Sequence, residues 1–203
     1  MIRYGLISNE DKKALEGTID LLINDFADET LSITECGIYQ GQTSLGLCTY
    51  LKEKNKEHNY TGIDNFKDGE PLIFYPKEAK LINGSSIEVY NQLPDDSQHL
   101  IIIDSNHSYP YVVADFMCYA KKVKPNGYIA FHDFAVHAQN VSYQRMGSKD
   151  DMDMYISCRR AIENLGVLNG NNTFYNSKWE LTFDSVDYSD LGGGFGIFKR
   201  VMI

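Results

Sequence analysis

Apolar residues along this chain change period several times, and each change marks an element boundary. Behind Asn9, the residues Ala14, Leu15, Ile19, Leu22, Ile23 and Phe26 recur near helical spacing, which predicts an amphipathic helix over about residues 10–26 with Asn9 as its cap. The run LSITECG then reads as a buried strand ending near Glu35, followed by a Gly-containing turn and a helix over about residues 43–52. NYTGID and AKLING supply two further strands, SSIEVYNQL a short helix and HLIIID a fourth strand. Pro110 suits the first turn of a helix reaching about residue 123, KPNG is a turn, and GYIAFHD is a fifth strand. Residues 134–151 are polar and without period, which predicts a surface loop or lid. A helix over about residues 152–165 precedes KWELTFDSV and GFGIFKRV, two strands close enough in sequence to pair antiparallel.

Strands and helices in short alternation predict an α/β fold, because parallel neighbours need crossover connections and the crossovers cover both faces of the sheet. The expectation is a doubly wound, mostly parallel sheet in a single domain over residues 1–203, with residues 1–30 forming an N-terminal helix. At 203 residues, 43% hydrophobic and 23% charged, the chain suits one well-filled globular domain. A net charge of -9 would repel both a nucleic-acid backbone and an anionic membrane surface, so neither is expected as a partner. A small molecule is expected instead, and the composition leaves a homo-oligomer open. Cys36, Cys48, Cys118 and Cys158 form no CxxC pair, and the N-terminus turns charged before a signal sequence could form its apolar core. Both features point to the cytoplasm.

Candidate chemistry concentrates where strands end. In IIIDSNHSYP, three β-branched residues are followed at once by Asp104, Asn106, His107 and Tyr109. Doubly wound sheets bind ligands in the crevice beyond the carboxyl ends of their strands, and His132, Asp133, Glu35 and Asp64 end other strands at the same edge. In the first turn, ECGIYQGQTS, Gly37 and Gly41 permit a tight bend and close backbone approach, and the next helix offers free N–H groups. A dinucleotide-binding GxGxxG would require a third glycine, and Tyr39 stands where the second belongs.

Glu35, Gly37, Tyr39, Gly41 and Ser44 resemble the first motif of the class I S-adenosylmethionine-dependent methyltransferases, in the ExGxYxGxS form of the catechol O-methyltransferase group. IDSNHSYPYVVADF followed by VKPNGYIAFHDF is similar to the DGxHxY … D … GG … HD pattern of small-molecule methyltransferases related to the macrocin O-methyltransferases. The resemblance covers residues 31–134, and GGFGIFKRV looks like the antiparallel last strand of that seven-stranded Rossmann-like fold.

This resemblance implies S-adenosylmethionine as cofactor and methyl transfer to a hydroxyl of a small molecule. Glu35 and the turn through Gly37, Tyr39 and Gly41, with Thr43 and Ser44 opening the next helix, would hold the methionine end and the ribose edge. Asp64 would accept hydrogen bonds from the ribose hydroxyls. Ser85 and Ser86 match the position beside the adenine, with capping of the following helix as their alternative. Asp104 and Asp133 match the acids that bind magnesium in the catechol group, with His132 as a third metal ligand or a packed strand-end residue. His107 matches the base, and a free imidazole with a pKa of about 6.5 suits that task.

The chain departs from both patterns, with Phe134 in place of the catechol group's Asn and His132-Asp133 in place of two acids. Magnesium, manganese, iron or no metal all remain open for two carboxylates with a histidine. Two other functions compete: a module that binds the cofactor without catalysis, and a nicotinamide-dependent oxidoreductase, for which a third glycine and a Tyr/Lys pair are missing. Tyr109, Tyr111, Phe131, Phe134 and Tyr143 read as pocket wall or core. His58, His99 and His137 carry no motif and are expected at the surface.

Overall fold

The computed structural model describes residues 7–66, 72–134, 158–168, 172–184 and 194–203. The predicted lid beyond Phe134, the first part of the helix expected from residue 152, His137 and Tyr143 lie outside these residues. Five α-helices are described: α1 (Asn9–Asp25), α2 (Gln42–Glu53), α3 (Ser86–Val89), α4 (Tyr109–Tyr119) and α5 (Cys158–Asn164). The strands are β1 (Leu31–Cys36), β2 (His58–Asp64), β3 (Lys80–Asn83), β4 (Gln98–Ile103), β5 (Val123–Phe131), β6 (Ser177–Asp184) and β7 (Gly196–Met202).

They form one seven-stranded sheet in the order β3-β2-β1-β4-β5-β7-β6. β1 to β5 pair in parallel, and β7 lies antiparallel between β5 and β6. The last two strands therefore pair as expected, and β7 is the antiparallel one. The fold is the mostly parallel, Rossmann-like α/β sheet that the alternating pattern predicts.

Successive strand residues point to opposite faces, so each face has its own core. Leu15, Ile19 and Leu22 of α1 and Leu47 and Leu51 of α2 pack against Ile33, Leu100, Ile102 and Ala130 on one face. On the other face, Val112, Phe116 and Tyr119 of α4 and Ala161 and Ile162 of α5 pack against Ile101, Ile103, Ile129 and Phe131. β4 is buried along its whole length, which is why QHLIII reads as a continuous run without alternation. Phe131 and Phe134 belong to the core: Phe134 is fully buried, and its ring stands where a Cβ on Gly196 would lie 2.5 Å away.

Three expectations are corrected. The cap of α1 is Ser8 in place of Asn9. Ser8 Oγ accepts the Asp11 N–H at 3.1 Å and the Asp11 carboxylate accepts the Ser8 N–H at 3.2 Å, a reciprocal box that requires an acid three residues on; Asn9 would face Lys12. KPNG lies inside β5, because pairing resumes around it: Gln98 faces Val123 and Leu100 faces Tyr128, so the turn residues form a bulge with Asn126 at φ 66. His99 is buried on β4, where its Nδ1 accepts the Ser32 N–H at 2.9 Å and its ring meets Phe26 edge-on.

Candidate active site

At the carboxyl edge of the sheet, the turn after β1 is pressed against the end of β4. Gly37 has φ +86, and a Cβ there would lie 2.1 Å from Asp104 O and 2.8 Å from Ser105 Cα. Gly41, at φ +83, caps α2, and a Cβ on it would lie 2.7 Å from the Tyr75 backbone. Both glycines are thus demanded by neighbouring backbone, and Asp104 N–H donates to Cys36 O at 2.8 Å across the same junction. Tyr39 projects from the turn with φ 48 and is exposed.

The polar groups expected to hold the cofactor are engaged inside the protein. Asp64 Oδ2 accepts the N–H groups of Ile38 at 2.8 Å and Tyr39 at 3.2 Å, and its Oδ1 accepts that of Phe66 at 2.9 Å. It therefore shapes the glycine turn, and a carboxylate with about four acceptor positions keeps one for a further donor. Glu35 is buried beneath that turn, where Oε2 accepts the hydroxyls of Ser44 and of Tyr60, the latter at 2.7 Å. Burial pushes the Glu35 carboxyl up to about 8 although both hydroxyls favour its charged form. Thr43 stands half-buried in the first turn of α2. Ser85 occupies the cap position of α3 without a side-chain cap bond, and Ser86 Oγ donates to Asp115 Oδ1 at 2.6 Å.

Four side chains converge on the reaction side. His107 is clamped, with Nε2 3.1 Å from Asp104 Oδ1 and Nδ1 2.7 Å from Asp133 Oδ2. A carboxylate can only accept, so both contacts are hydrogen bonds only if both ring nitrogens carry protons. Burial opposes the charged ring, but Asp104 and Asp133 outweigh it and raise His107 to about 10. Burial likewise favours neutral Asp104, and His132 with His107 reverses that, holding the carboxyl well below the usual range. Asp133 is lowered in the same way, mainly by His107 against burial. It follows β5 at φ 52, a left-handed backbone that belongs to the rim's turn.

His132 is the unsatisfied member. Its Nδ1 lies 2.9 Å from Asp104 Oδ1, out of hydrogen-bonding alignment but near enough that Asp104 raises its pKa against burial, while Nε2 has no partner and the residue is 6% exposed. A buried polar atom without a partner costs about 1–3 kcal/mol. Donor atoms of Asp104, His107 and His132 lie within 4.8 Å of one another. A divalent cation fits this arrangement, because two imidazoles with carboxylate oxygens are a mixed N/O donor set and a cation would occupy the orphaned nitrogen. Asp104 and His132 would hold it, with His107 as the third donor brought close; Asp133, expected as a ligand, is not in that group and lies against His107 Nδ1 instead.

Sequence reasoning missed Tyr60, Tyr75 and Asp115 as parts of this edge. Tyr75 accepts the Gly62 N–H at 2.8 Å and donates to Lys80 O at 2.6 Å, which seats its backbone against Gly41. Asp115 carried the most visible signal, a lone acid within the apolar run YVVADFMCY.

Fold and rim together are those of a doubly wound α/β protein with a glycine turn after β1 and a polar cluster after β4 and β5. Residues 34–134, about half the chain, match the family described as a methyltransferase domain, and the chain belongs to the class I methyltransferases, the S-adenosylmethionine-dependent family. A putative caffeoyl-CoA O-methyltransferase from Staphylococcus aureus has a similar structure at TM-score 0.68 and 14% identity, covering 96% of this chain and 84% of its own. An O-methyltransferase from Bacillus cereus, solved in complex with SAH, is similar at TM-score 0.64 and 13% identity over 98% of this chain and 84% of its own. At such identities the likeness is one of fold. An uncharacterised protein of Acanthamoeba polyphaga mimivirus is 27% identical over 137 residues, 57% of this chain, and the match spans only 57% of that relative. No helix among the described residues is long and apolar enough to cross a membrane.

Proposed function

We propose that this protein transfers a methyl group from S-adenosylmethionine to a hydroxyl of a small molecule, using a divalent cation at the rim and His107 as proton acceptor. The observation that carries the reading is the junction itself: the glycine turn and the Asp104 backbone touch, so a cofactor lying on that turn has its methionine end beside Asp104, His107, His132 and Asp133. The turn residues Gly37, Tyr39 and Gly41, with Thr43 behind them, would seat the methionine end. Asp64 would offer its remaining acceptor position to the ribose, and Ser85 and Ser86 flank the adenine. Glu35 and Ser44 act beneath the turn, as support for its shape.

When bound, the cation would lower the acceptor hydroxyl's pKa and align its oxygen with the sulfonium methyl. Asp104 and His132 would hold the cation that orients that oxygen. The C–S bond breaks as the O–C bond forms in line, and the hydroxyl proton passes to a ring nitrogen of His107. For that, His107 must first give up one of its two ring protons to solvent, a loss that the Asp104 and Asp133 carboxylates oppose and that a bound cation sharing their charge would favour. Holding both reactants in line supplies several kcal/mol of the barrier lowering. The unpartnered His132 Nε2 supports this reading over a cofactor-binding module, which has no use for an unsatisfied buried imidazole on the reaction side.

Incubation with methyl-labelled S-adenosylmethionine and a panel of phenols and sugars tests the reading. Label should enter a hydroxyl, excess chelator should stop transfer, and magnesium or manganese should restore it. Cofactor binding without transfer to any acceptor would favour the module, and full turnover in chelator would remove the cation.

A further inference from the structure

Asp115 lies in the middle of α4, fully buried, in a stretch otherwise occupied by Val112, Val113, Phe116 and Tyr119. It uses both oxygens: Oδ1 accepts Ser86 Oγ at 2.6 Å and Oδ2 accepts Ser105 Oγ at 2.9 Å. The two serines come from different segments. Ser86 opens α3 after β3, and Ser105 directly follows Asp104 after β4. Tyr119, one turn further along α4, donates its hydroxyl to Ser86 O at 2.9 Å, so the same helix grips Ser86 twice.

A buried carboxylate held by two neutral hydroxyls is a costly way to fill a helix face that an apolar side chain would fill without desolvation. Burial raises its pKa to about 6 even against those hydroxyls. What the carboxylate does that an apolar group could not is bond two loops at once. The far loop also touches the cofactor turn, because Ser105 Cα is among the atoms a Cβ on Gly37 would strike.

We propose that Asp115 is a positioning residue that holds the serine after β3 and the rim loop after β4 at one separation, coupling the seat of the cofactor's adenine end to the geometry around Asp104. This rests on the reading above that the adenine lies by Ser85 and Ser86. The coupling runs from Ser105 through both Asp115 oxygens to Ser86, with α4 as the rigid arm between the two loops. Contacting groups in one network give non-additive effects, whereas a carboxylate that merely fills space leaves the two loops independent.

The test is a double-mutant cycle on binding of S-adenosylhomocysteine, measured by calorimetry on the full chain. Ser105→Ala should weaken binding by about three- to tenfold in the natural background and by no more than about twofold beside Asp115→Asn. An equal effect in both backgrounds, or none in the natural one, overturns the coupling; a lower melting temperature of Asp115→Asn alone does not produce the predicted difference. Should Asp115→Asn fail to fold, the Ser86→Ala and Ser105→Ala pair replaces it: effects that add overturn the proposal, and effects that do not add sustain it. Natural protein that fails to bind S-adenosylhomocysteine overturns the methyltransferase reading and this coupling together, an outcome distinct from binding with additive effects.

Discussion

The turn after β1 and the rim after β4 and β5 sit against each other, yet they treat polar groups in opposite ways. In the turn, each carboxylate is satisfied by the protein itself: Asp64 by three backbone N–H groups, Glu35 by two hydroxyls. At the rim, two acids crowd a doubly engaged imidazole, and His132 has Nδ1 beside Asp104 but out of alignment and Nε2 without a partner. Satisfied groups shape a surface, whereas an unpartnered buried polar atom raises the energy of the fold that contains it. The turn is thus braced internally, while the rim keeps its polar groups strained against one another.

The most severe way to break this contrast is at the rim. Replacing His107 with Gln keeps volume and a donor but removes the titrating nitrogen; turnover should fall about a hundredfold or more while S-adenosylhomocysteine binding stays nearly intact. Wild-type turnover from the purified variant would move the base elsewhere, with His132 next to test. At the turn, Asp64→Ala removes three braces of the glycine loop and the remaining acceptor position, so cofactor binding should weaken tenfold or more. Unchanged affinity by calorimetry would show that the turn needs no carboxylate.

The smallest expected effect sharpens the idea of support beneath the turn. Glu35 has a folded pKa raised from the ordinary 4.5 to about 8, so the folded state holds that proton more tightly than the unfolded chain. Its contribution to stability is complete below pH 4.5 and is lost as pH rises towards about 8. Glu35→Gln has no such proton to lose. Its melting temperature should match the natural protein near pH 5 and exceed it by about a few degrees above pH 8. Parallel curves across the window would mean that Glu35 is already ionised in the fold.

What the linear chain determined was the alternation: period-2 and period-3.6 runs set the order of strands and helices, and a parallel sheet brings its strand ends to one edge by geometry alone. That logic reached Asp104, His107, His132 and Asp133, which follow β4 and β5, and it reached Glu35, Gly37, Gly41 and Asp64. Local pattern missed Ser8 as cap because the choice between adjacent cap candidates depends on the acid three residues on. It missed the β5 bulge because pairing partners lie far away in sequence. Only the tertiary structure decided which way each polar group faces. Side-chain direction depends on neighbours brought in by other strands, so Glu35 turned inward to Tyr60 and Ser44, Asp64 towards the turn's own N–H groups, and Asp115 to serines on two separate segments, while His132, set between Asp104 and Phe195, kept Nε2 without a partner.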